Sequence, residues 1–307
     1  MINRPVLLIA GIAIVSLISN LISAQTVNFQ LVKDDPDHLP AGSFVIDPLY
    51  SETWKVNGSA GMVIEPMFHA GKVVDFYIPM QLGYAEAKRK SKNNPDNLPV
   101  FHDLGFFIGL NFANSYKKRI YRVRIQSASA STYTYIEQEF THRACASLRA
   151  GVDFMGSVYD YTYFNTQYIS NTYHDTIAFT SGQNSYDQFS YVLGVSVKSI
   201  YGGVVSTDGV TRKVGKWSEF YFDGLIGAKT LYDKQVTLYS DTGTIYFPKI
   251  QSLGYRIGWR VQEPIRSSVH LGLEFGCYPG PALPKQTHYL LIRFGFALTD
   301  GTKYSKS

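Results

Sequence analysis

The stretch Gln286-Thr-His-Tyr-Leu-Leu-Ile-Arg-Phe-Gly-Phe-Ala-Leu298 decides the fold class. Leu290, Ile292, Phe294, Phe296 and Leu298 share one parity, while Arg293, Gly295 and Ala297 share the other. Successive side chains of a strand point to opposite faces, so this segment reads as a strand with one greasy face and one polar or nearly bare face. One such strand would fit any sandwich, but the pattern recurs. In residues 102–112, Leu104, Phe106, Ile108, Leu110 and Phe112 oppose Asp103, Gly105, Phe107, Gly109 and Asn111. In residues 145–158, Ala146, Leu148, Ala150, Val152 and Phe154 oppose Ser147, Arg149, Gly151 and Asp153. Repeated along an exported chain, the alternation predicts an all-β fold: a closed, antiparallel, up-and-down transmembrane β-barrel, greasy outside and wet inside.

Export is read from the start of the chain. Met1-Ile-Asn-Arg4 is short, polar and basic, residues 6–22 are almost wholly apolar, and Ser23-Ala24 are small. That order of regions predicts a signal peptide over residues 1–24, cleaved before Gln25. No Cys stands at the junction, which argues against a lipid anchor. The composition agrees with a barrel carrying aromatic girdles, since 15% of residues are aromatic and only 17% are charged. Without Arg4, 29 − 1 = 28 basic residues stand against 24 acidic ones, a net of +4. That excess is small and scattered, and it argues against a nucleic-acid partner.

Residues 25–41 are polar and acidic and read as a flexible periplasmic lead-in. Residues 42–298 divide into about twelve strands, with ten or fourteen also compatible with an even-numbered barrel. They lie at 42–50, 54–68, 73–85, 102–112, 119–128, 133–140, 145–158, 188–201, 217–232, 249–262, 267–278 and 286–298. Pro79 removes a ladder donor inside the third and marks a candidate bulge. Residues 114–118 read as a turn, residues 159–186 as the longest unstructured segment, and residues 204–216 as a periplasmic connection. Residues 299–307 form a polar tail. No period of 20–50 residues is present, which disfavours solenoids and propellers.

The residues Ser23-Ala24-Gln25, Leu253-Gly-Tyr-Arg-Ile-Gly-Trp259, Leu271-Gly-Leu-Glu-Phe275 and the strand at 288–298 together resemble outer-membrane β-barrel proteins of Gram-negative bacteria, of the Bacteroidota type. The likeness spans the mature chain as a pattern, without a diagnostic motif. It implies location in the cell outer membrane, contact with outer-membrane lipids and lipopolysaccharide, and work alongside other envelope proteins. Such barrels finish on an aromatic near the last residue. Phe294 and Phe296 suit that role, although residues 299–307 follow them.

The inward parity gathers charges of both signs. Glu65, Asp75, Asp103, Arg149, Asp153, Lys198, Asp223, Arg256, Arg260, Glu274 and Arg293 are the candidate lumen-lining residues, and Arg122, Arg124 and Lys229 fall on the same parity. Two readings compete. Opposite charges can pair and plug a narrow barrel, giving a structural or assembly component of the envelope, or a basic ladder can line a narrow, porin-like channel. The alternative is a lipid-modifying hydrolase of phospholipase or lipid A deacylase type, built on His102 or His174 with a Ser such as Ser170 or Ser185. That chemistry needs nucleophile, base and orienting group together. Adjacent His and Asp residues on a strand point apart, so no catalytic residue is assigned. No His or Cys pair has metal-ligand spacing, and neither metal nor cofactor is expected. Asp34, Asp35 and Asp37 form an acidic run able to attract calcium, and Lys88-Arg-Lys90 a basic loop able to meet lipopolysaccharide phosphates. Cys145 and Cys277 fall at opposite strand ends and on opposite faces, so two free thiols are expected.

Overall fold

The computed structural model describes residues 29–34, 36, 42–54, 58–87, 102–126, 133–160, 167–174, 176–178, 183–207, 210–232, 235–238, 241–246, 250–262, 268–281 and 288–299. The signal segment 1–24, Asp35 and Asp37, the basic loop at Lys88-Arg-Lys90 and the tail beyond Thr299 lie outside the described residues.

Among them the chain is all strand and turn. β1 (Phe29–Asp34) precedes β2 (Gly42–Trp54), β3 (Gly58–Ala70), β4 (Val74–Tyr77) and β5 (Met80–Ala87). Two long strands follow, β6 (His102–Gln126) and β7 (Tyr133–Asp160), then short β8 (Gln167–Ser170) and β9 (Thr176–Ala178). A second long pair, β10 (Gln183–Thr207) and β11 (Val210–Tyr232), leads to β12 (Gln235–Leu238), β13 (Asp241–Tyr246) and β14 (Ile250–Gln251). The chain ends through β15 (Leu253–Gln262), β16 (Ser268–Cys277), β17 (Gly280–Pro281) and β18 (His288–Thr299).

Antiparallel pairing runs from β2 through β3, β4 with β5, β6, β7, β10, β11, β15, β16 and β18, and β18 pairs back onto β2. The result is a ring of ten strands. In that count β4 and β5 are one strand interrupted at Ile78 and Pro79, where Pro79 has no N–H to give and its carbonyl accepts from the Gly105 N–H at 2.9 Å.

The count of about twelve is therefore corrected to ten, and the reason is local. Residues 114–118 are not a turn: β6 runs 25 residues straight through them. Likewise β7 runs 28 residues, joining two segments that the sequence reading separated. Residues 204–216 are not an open connection either, because Thr207 faces Val210 across the β10–β11 ladder. The Asp208-Gly209 dipeptide between them has the composition of a two-residue hairpin turn. Residues 159–186 include β8 and β9, which join β12 and β13 in a small sheet of their own. The expected lead-in holds β1, whose Phe29 to Asp34 pair with Thr207 to Gly203 of β10.

The connections after β7, β11 and β16 carry the small extra strands β8 and β9, β12 to β14, and β17, all at one end of the ring. At the other end, β3 returns into β4 through Gly71, whose φ of 64° suits glycine. The β6–β7 and β10–β11 hairpins also close at that end and project well beyond their neighbours. β4 leaves β6 at Leu110, and β15 leaves β11 at Trp217.

Candidate functional site

The alternation now acquires two physical environments. On one face Leu193, Val195 and Val197 of β10, and Leu290, Ile292 and Phe294 of β18, are exposed at 44–59%. On the other, all eleven charged residues singled out in the sequence are buried, at 8% exposure or less. Arg122 and Lys229 depart from the expected parity and are exposed; the side chain of Arg124 is outside the described part.

Nine of the eleven, together with Asp47, His69, Glu219 and His270, form one connected chain of charged contacts across the ring. His69 meets Asp75 at 2.6 Å, and Asp75 holds Lys198 of β10 in a close pair. Lys198 lies 4.0 Å from Glu219, which also binds Arg149 at 3.2 Å and Arg260 at 2.6 Å. Arg149 pairs with Asp223 at 2.9 Å, and Asp223 with Arg256 at 2.9 Å, which reaches Asp153 at 3.7 Å. On the opposite branch, Arg260 pairs closely with Glu65, and Arg293 links Glu65 and Asp47 at 2.7 Å each. His270 closes that branch onto Asp47 at 2.7 Å. Pairs such as Arg260 with Glu65 join β15 to β3, strands far apart around the ring, so the buried face is the one the ring encloses.

Aromatic rings fill the gaps between the ions. The Arg256 guanidinium lies 4.4 Å from the Phe107 ring, Arg260 lies 4.4 Å from Tyr77, and Arg149 lies 4.4 Å from Tyr221. Such stacking suits guanidinium, which is planar and more weakly hydrated than an ammonium. Glycine makes the room: a Cβ on Gly258 would fall 2.1 Å from the Tyr221 ring. Towards the long-connection end, Glu274 accepts from the hydroxyls of Tyr221 and, at 2.5 Å, Tyr289, while the Gln81 amide donates to Asp103 at 3.3 Å. Towards the short-connection end, Asn111 donates to Asp75 at 3.0 Å and accepts from Lys198 at 2.9 Å. Arg143 stands below, donating to the Asn114 side chain and to the Lys72 carbonyl.

Several members escaped the sequence reading: Asp47, His69, Glu219 and His270. Glu219 shares parity with Trp217, Tyr221 and Asp223, and His270 shares it with Glu274, so strict period-two bookkeeping along β11 and β16 would have found both. Of the hydrolase elements, Ser170 and His174 lie in one turn, where the His174 N–H donates to the Ser170 carbonyl at 3.0 Å. His174 is exposed, with φ at 57°, and the Ser170 hydroxyl accepts from the N–H groups of Thr172 and Tyr173. The side chains of His102 and Ser185 lie outside the described part. The Asp34 carboxylate is taken up by Thr141, whose N–H donates to it at 2.9 Å and whose hydroxyl donates at 2.5 Å. Cys145 and Cys277 are buried and form no disulfide with each other.

No protein-family model matches this chain, and no curated protein is significantly similar to it.

Proposed function

We propose that the chain is an integral outer-membrane β-barrel of ten strands whose interior is closed by its own charges, serving the envelope as a structural or assembly component. The observation that carries this reading is the inversion of faces: apolar side chains exposed outside the ring, and one linked ion-pair network buried inside it. An exposed apolar belt around a whole sheet is costly in water and favourable in hydrocarbon. The strands β15, β16 and β18, of 10, 10 and 12 residues, match the span of a tilted membrane strand. On this reading the long connections face outward, and the turns joining β3 to β4, β6 to β7, β10 to β11 and β15 to β16 face the periplasm.

The plugged form is favoured over the channel because the basic ladder is not free. Arg256, Arg260 and Arg293 each bond to carboxylates, and Arg256 and Arg260 also lie over aromatic rings. Ions crossing would have to displace paired, buried groups, whose pairing offsets a desolvation cost of several kcal/mol per ion. Planar-bilayer recording tests this. Folded protein inserts without steady conductance, and the double variant Glu65→Ala with Arg260→Ala, which opens the middle of the network, conducts. Steady conductance from the unaltered protein would replace the plugged form with the channel.

A further inference from the structure

The two long hairpins extend well beyond the rest of the ring. β6 loses its β4 neighbour after Leu110 and continues to Gln126, roughly 50 Å further at the usual rise per residue. Over that length β7 is its partner on one side, and no described strand pairs with the other side. The free edge carries Ser115-Tyr-Lys-Lys-Arg-Ile-Tyr-Arg-Val-Arg-Ile-Gln126. Between Asn111 and His142, five cations (Lys117, Lys118, Arg119, Arg122, Arg124) stand against Glu137 and Glu139, so 5 − 2 = +3. Lys118 pairs with Glu139 at 3.0 Å and Arg122 lies over the Tyr135 ring, whereas exposed Lys117 and Arg119 have no ion-pair partner among the described residues. Ile120, exposed at 69%, and Tyr116, at 44%, add apolar surface beside the cations.

The same projection already accepts one added strand. β1 lies along the edge of β10 where β7 has diverged, and Asp34 fastens it to Thr141. Leu31 of β1 packs with Tyr121, Ile136, Phe140, Tyr201 and Val205 into a small second core that holds the two hairpins together.

We infer that the free edge of β6 is a docking strand for an extended acidic segment of a partner protein, which adds antiparallel or parallel to it and sets carboxylates against Lys117 and Arg119. Open edges recruit strands through their unpaired N–H and C=O groups, and side-chain charge decides which strands. A second copy of this chain would bring the same cations and be repelled, so the edge selects against self-pairing and for acid. Lipid headgroups fit less well. The cations spread over roughly 20 Å of strand, while a headgroup layer is only about 5–8 Å deep.

The inference uses the periplasmic placement proposed above only to say where the partner is met; strand addition is tested on the full chain in detergent micelles, where it does not depend on that placement. The probe is a fluorescent peptide roughly ten residues long alternating Glu and Val, beside its Lys–Val counterpart and vesicles of phosphatidylglycerol. The acidic peptide binds by anisotropy, the basic one does not, and amide exchange slows across residues 116–123. Lys117→Glu with Arg119→Glu weakens binding by about tenfold or more, while the heat stability of the ring is unchanged. Equal binding of both peptides, indifference to the double reversal, slowed exchange elsewhere, or protection of β6 by vesicles alone would each overturn the inference. Loss of the detergent requirement would instead count against the membrane reading and leave this one standing.

Discussion

Glu219 is the residue on which the buried network turns, because Arg149, Arg260 and Lys198 all converge on its carboxylate. Removing one partner from a buried ionic cluster leaves charges that nothing compensates, which costs about 3–5 kcal/mol. Glu219→Gln is therefore expected to lower stability by about that much, read as a lowered midpoint for guanidinium unfolding in micelles. Exchanging both Glu65 and Arg260 for Met removes charge of both signs together and is expected to cost less than either single change. A single-residue cost near zero for Glu219→Gln would mean that water, and not the ion pairs, fills the ring. At this scale much was legible in the sequence. Parity alone placed eleven charges on the buried face, because a side chain's face follows from its position along the strand. Their partners were not legible, since the mate of Arg260 lies on β3, nearly two hundred residues away in the chain.

Among the elements, the long hairpins are where sequence and structure part. Alternation reports a strand only while its two faces meet different surroundings. Beyond the ring, residues 112–120 of β6 are exposed on both faces, so the pattern dissolves although the ladder continues. The polar residues 114–118 then imitate a turn, and one strand is counted as two. β1 was missed for a related reason: its acidic surroundings look like linker, and its stability comes from Asp34 meeting Thr141 and from Leu31 joining the second core. Asp34→Ala removes a charge-assisted anchor worth about 1.5–3 kcal/mol. Hydrogen exchange is expected to quicken at residues 29–34 and along the β10 edge they cover, with β15, β16 and β18 unaffected. Uniform quickening around the ring would contradict the view that the projection is a separable unit.

For the whole molecule, the account rests on which medium each face meets. On the proposed reading the exposed apolar belt meets hydrocarbon, and the buried ions offset their desolvation by pairing with one another. Two of the chain's tryptophans sample the two sides: Trp259 of β15 points outward at 41% exposure, and Trp217 of β11 is buried within at 1%. The most direct test is fluorescence quenching by phospholipids brominated on their acyl chains, with protein reconstituted into vesicles and one of these tryptophans retained while the chain's other tryptophans are changed to Phe. The account predicts strong quenching of Trp259 and almost none of Trp217. Equal protection of Trp259, or quenching of Trp217 in its place, would contradict it.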